Sequence, residues 1–135
     1  MNWRTEMDVL EAERLADELV TAELAKQNAM CGRLNERAEV ANGELFQAGL
    51  GQFDAIFDRR NGDEAAFDEP PMIYPEGWSG FRSYGGDIPN IVVGIAFMTQ
   101  EVKRLLLKGE DYTRLARRPD QTYSAETGRP YAIEA

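Results

Sequence analysis

The chain of 135 residues contains no histidine. That absence removes serine–histidine–aspartate triads, cysteine–histidine pairs, histidine-based zinc sites and the Glu-x-x-His di-iron bundle. There is one cysteine, Cys31, so no internal disulfide can form and no thiolate metal site can be built from this residue type alone. No Walker pattern and no Gly-x-Gly-x-x-Gly is present. Long apolar runs are missing too. The most apolar stretch, Ile88 to Met98, is interrupted by Pro89, Asn90 and Gly94 and falls short of the roughly 20 residues that a membrane span needs. The first residues carry acids at once and show no signal-peptide core, so a cytoplasmic protein is expected, with no membrane partner.

Positive charge is also scarce. Fifteen Lys and Arg stand against 24 Asp and Glu, for a net charge of −9. Met1 to Glu64 holds fourteen acids and seven bases, so −7 of the −9 lies in that half. No basic face stands out, and direct nucleic-acid binding is not expected. The hydrophobic share of 43% argues against wholesale disorder, and the length suits one domain with a core of its own.

What the sequence does have is helix. Thr5 to Ala41 has no proline, a single glycine at Gly32, and many Ala, Leu, Glu and Arg residues, which predicts a first helix over about 5–41 capped by Thr5. Leu24, Cys31, Ala38 and Leu45 form a heptad row along it, giving Cys31 a core or interface role. Asn42-Gly43 is the natural break. A second helix over about 44–60 places Leu45, Phe46, Leu50, Phe53, Ile56 and Phe57 on one broad face, weakened by Gly49 and Gly51. A third helix, 88–108, starts at the cap Asp87 and ends at Gly109. Its stripe Ile88, Ile91, Ile95, Met98, Val102 and Leu105 predicts a buried face, and its first half is expected to be the most buried segment. The expected fold is therefore mainly α: a helical hairpin or three-helix core (1–109) with a long ordered aromatic Gly/Pro loop over 61–87. Residues 110–135 are expected as an extended C-terminal arm without helical or strand period.

Three groups of residues are candidates for function. Carboxylate pairs, Glu36-x-x-Glu39 and Asp54/Asp58, are the remaining catalytic material. A metal site would need a second acidic pair, and the third helix offers only Glu101. A solvated helix face is the plainer account, so no cofactor and no enzyme activity are expected. Gly85-Gly86-Asp87 precedes a helix start but reads as a structural turn, because Asp87 itself would repel a phosphate. The segment holding Trp78, Phe81, Arg82 and Tyr84 has the residue types that dominate binding hot spots, although the same aromatics could close the core. Finally, Arg114, Arg117, Arg118 and Arg129 with Tyr112, Tyr123 and Tyr131 make an arm suited to docking on the acidic half of another copy. The expected function is a non-catalytic interaction or structural subunit of a larger assembly, a homo-oligomer of the sort met among viral and phage structural proteins. The alternative is an acidic inhibitor that mimics nucleic acid and blocks a host defence or nucleic-acid enzyme.

Overall fold

The computed structural model describes residues 7–32, 36–62, 70–78, 86–116 and 121–132. It is mainly helical, and the helices are α1 (Val9–Cys31), α2 (Glu44–Arg60), α3 (Asp87–Leu107) and the single turn α4 (Thr113–Ala116). Two short strands follow, β1 (Gln121–Tyr123) and β2 (Pro130–Ala132). The chain divides into two compact units, Met1–Arg104 and Leu105–Ala135.

The first helix is shorter than its composition predicts. The Asp8 carboxylate caps it, accepting a hydrogen bond from the Glu11 amide at 2.8 Å. Thr5, the expected cap, lies outside the described residues. The helix stops at Gly32, which takes φ 64°, a conformation that costs a residue without Cβ little. A 3-10 turn at Ala38–Val40 follows, so the heptad row from Leu24 to Leu45 does not run along one continuous helix. Gly43, at φ 89°, then precedes α2, whose span of Glu44–Arg60 is the one the sequence predicts.

Within the first unit α2 and α3 are antiparallel: Gly49 meets Gly94 and Met98, Gln52 meets Asn90, and Arg59 meets Asp87. In contrast, α1 runs parallel to α3, since Gln27 and Asn28 meet Gln100 while the earlier turns of α1 face Ile88 to Ile95. The glycines inside the helices are points of close approach rather than weak spots. A Cβ on Gly94 would lie within 3 Å of the Phe53 ring, and one on Gly49 would lie 3.1 Å from the Gly94 carbonyl oxygen. Gly51 gives the same clearance to the Tyr74 ring.

The core differs from the predicted one in kind. Among the described residues its buried apolar side chains are Val40, Leu45, Ala48, Ala55, Ile56, Val93 and Ala96. Beside them Gln27, Gln52, Asn90, Gln100 and Glu101 are buried as well. The expected core stripe of α3 is instead largely outward, with Ile88, Ile91, Ile95 and Val102 exposed. Likewise Phe46 and Phe57 of α2 are exposed while Leu45 and Ile56 are buried. The face of α3 carrying Asn90, Gly94 and Glu101 is the one that admits α2 closely, and that contact decides which side turns inward.

In the second unit, α3 closes with the Gly109 and Glu110 amides donating to Leu106 and Leu105 carbonyls, Gly109 standing at φ 95°. The stretch beyond is not wholly extended, contrary to expectation. The Asp111 carboxylate caps α4 through the Thr113 amide at 2.8 Å, and β1 pairs antiparallel with β2 in the register Gln121↔Ala132 and Tyr123↔Pro130. Elements of three and four residues are too short to show a period in sequence.

Replacing Gly94 by alanine is expected to lower stability by about 1–3 kcal/mol, since the overpacking against Phe53 outweighs a helix-propensity gain of about 1 kcal/mol. Chemical denaturation checks this. An unchanged or raised midpoint would mean that α2 and α3 do not approach this closely.

Candidate functional site

The polar residues of the first unit are engaged with one another. Along α2 and α3, Asn90 Nδ2 donates to Gln52 Oε1 at 2.7 Å and Arg59 Nη1 donates to Asn90 Oδ1 at 2.8 Å. Arg59 and Arg60 then hold the two Asp87 carboxylate oxygens at 3.1 and 2.6 Å. The two arginines thus join Asp87 across the helix pair. Asp87 belongs to the first turn of α3 rather than preceding it as a cap. At the other end of the pair, Arg104 Nε and Nη2 donate to both oxygens of Glu101, and Nη1 reaches the Ala41 carbonyl at 3.2 Å. Between α1 and α3, Gln100 Nε2 donates to Asn28 Oδ1 at 3.1 Å and to Gln27 Oε1 at 3.4 Å. Gln27 Nε2 and Gln100 Oε1 are buried without a hydrogen-bond partner.

These networks have the character of fasteners. Glu36 and Glu39 fall in the connection after α1 rather than on a helix, because Gly32 has ended it, and Glu39 pairs with Arg37 at 3.5 Å. Asp54 is exposed on α2 and Asp58 half-buried. Among the described residues, no group of three or more His, Cys, Asp or Glu is placed to hold a metal ion.

The aromatic segment divides. Trp78 is half-buried and meets Tyr74 edge to face, with ring centroids 6.3 Å apart, and Tyr74 packs on Gly51 of α2. Trp78 is therefore tied to the helical body. Phe81, Arg82 and Tyr84 lie outside the described residues, as do Arg117 and Arg118. Arg114 is exposed on α4, Tyr123 is exposed on β1, and Tyr131 belongs to β2, while Cys31 is the last residue of α1.

Sequence reasoning missed an apolar groove of about 380 Å³ between α1 and α3. One wall consists of Leu15, Ala16, Leu19 and Val20. The other is the outward stripe of α3, Ile88, Ile91, Val92 and Ile95. The signal was present as that isoleucine row, but the row was read as core. The second unit shows a related feature. None of its residues with a described burial is buried, although Leu106, Leu107, Tyr112, Leu115 and Tyr123 are large and apolar.

Comparison with protein-family models, with curated proteins and with solved structures finds no match. Among the described residues no helix is long and apolar enough to cross a membrane.

Hydrogen bonds from Arg60 and then Arg59 hold the Asp87 carboxyl below its ordinary value of 3.8, with the burial effect opposing them. A depressed carboxylate contributes stability above the unfolded-state value, and that contribution is lost as pH falls through the folded one. Melting temperature followed from pH 7 to pH 2 should thus fall more steeply in the native chain than in Asp87→Asn, with the difference between them closing below about pH 4. Parallel curves would show that the pair with Arg59 and Arg60 does not form.

Proposed function

We infer that the chain is a non-catalytic structural subunit that associates with other copies of itself through its C-terminal unit. One observation carries this reading: the unit Leu105–Ala135 leaves Leu106, Leu107, Tyr112, Leu115 and Tyr123 exposed, Tyr112 and Leu115 at 69% and 73%, and none of its residues with a described burial is buried. A hairpin of two three-residue strands is at best marginally stable alone in water, and apolar side chains of this size favour a surface that covers them. The polar networks of the first unit support the non-catalytic part, because their carboxylates are spent on arginines that join helices. The acids of α1 keep the nucleic-acid mimic as a second reading, since Glu11, Glu13, Asp17, Glu18 and Glu23 face only Arg14 and Lys26 within that helix. Arg14, however, already pairs with Glu18 at 2.7 Å.

Light scattering on a sizing column, over a range of concentrations, tests the reading. The native chain is expected as a discrete oligomer or a growing assembly. Tyr112→Asp with Leu115→Asp is expected to give monomers whose helical circular dichroism is unchanged. A native chain that stays monomeric at high concentration would overturn the reading and favour the acidic inhibitor, whose partner binding would weaken between low and physiological salt.

A further inference from the structure

We propose that the α1–α3 groove of one copy receives the α4 turn of a second copy, with Leu115 as the apolar anchor and Arg114 at the rim. The proposal rests on the self-association reading above and names the surface that it uses.

The groove is built to take an apolar group. Its walls are aliphatic on both sides, and Leu19, Ile88 and Ile91 are exposed along it. Its volume of about 380 Å³ lies at the low end of ligand pockets, about 300–1,000 Å³, and suits a few side chains rather than a large ligand.

Charge decides among occupants. At 100° per residue, Glu11 and Glu18 flank the Ala12–Leu15–Ala16–Leu19 row on one shoulder and Glu13 on the other, all three exposed; Glu18 is paired with Arg14 at 2.7 Å, so Glu11 and Glu13 supply the attraction. The helix as a whole carries five acids and two bases. Two grooves placed face to face would bring two such helices together, at a cost in like-charge repulsion. A fatty-acid carboxylate would meet the same repulsion. The C-terminal unit as a whole is balanced, with five acids and five bases, but it concentrates positive charge next to an apolar side chain: from Thr113 to Pro119 the sequence has Arg114, Arg117 and Arg118 and no acid. Of these, Arg114 sits beside Leu115 on α4, and both are exposed. The groove belongs to the first unit and α4 to the second, so the contact is heterologous: each copy has a giving and a receiving surface.

The test is cross-linking in trans with full-length chains on a Cys31→Ser background. A copy carrying Ile91→Cys is mixed with a copy carrying Leu115→Cys under mild oxidation. A covalent dimer of unlike copies is expected, in at least about tenfold excess over a control that replaces Ile91→Cys by Asp54→Cys on the exposed side of α2. Leu19→Asp, at a position already 45% exposed, is expected to weaken association tenfold or more with helical circular dichroism intact. Arg114→Glu is expected to weaken it by about threefold and to flatten its salt dependence. If only the double variant Ile91→Cys/Leu115→Cys closes a bridge, and within one chain, the arm fills its own groove and the proposal is overturned. Association that persists without the trans cross-link and is indifferent to Leu19→Asp would overturn the groove assignment while leaving self-association standing. A chain that is monomeric throughout would overturn both.

Discussion

The approach of α2 to α3 at Gly49 and Gly94 is the constraint on which the first unit depends. With no Cβ at either position, a backbone carbonyl and the rings and thioether of Phe53 and Met98 occupy the space that side chains would fill. A contact this close tolerates one register. That register sets Arg59 against Asp87 and Asn90 at one end, and places Glu101 3.9 Å from where a Gly43 Cβ would stand at the other. It also commits the face of α3. Once the Asn90–Gly94–Glu101 side is taken by α2, the isoleucine side must turn toward α1 and solvent.

The buried amides follow from the same geometry. A polar group taken out of water costs free energy unless it finds a partner, and leaving one buried without a partner costs about 1–3 kcal/mol. Gln52 and Asn90 solve this mutually, with Arg59 completing the chain to Asp87. Such pairings are satisfied only in one alignment, so they select a register more than they add stability. The α1–α3 seam is less complete, because Gln27 Nε2 and Gln100 Oε1 have no partner there. The lighter packing of α1, whose described side chains are mostly exposed, is consistent with that difference.

The sequence showed where helices α2 and α3 lie because both have strong punctuation: Gly43 before one, Gly109 after the other. It did not show that Gly32 ends α1, since a lone glycine in a run of good helix formers costs only about 1 kcal/mol and is often tolerated. It also could not choose the inner face of α3. Val92, Val93, Ala96 and Phe97 make that helix apolar nearly all round, and periodicity then names faces without ranking them. The deciding information was Gly94 together with Gly49, residues whose effect on a helix alone is unfavourable and whose value appears only when two helices meet. The groove was hidden by the same ambiguity. The arginines and tyrosines of the C-terminal stretch stand out in the sequence, but its helical turn and hairpin are too short to leave a pattern.

Two apolar surfaces therefore result from one packing decision and one shortage. The packing decision leaves Ile88, Ile91 and Ile95 on the side of α3 away from α2, where they line one wall of the groove with α1 and remain exposed. The shortage is in the second unit, where the helical turn and three-residue strands among the described residues leave Leu115 and Tyr112 exposed. Exposed apolar residues scattered singly need no explanation, but a groove lined on both walls by aliphatic side chains is a different matter. The two surfaces differ in the charge beside them, acids along α1 and Arg114 on α4, so under the proposed association attraction between unlike surfaces would exceed that between like ones. Heterologous contacts of that kind generate rings if the rotation closes and filaments if it does not.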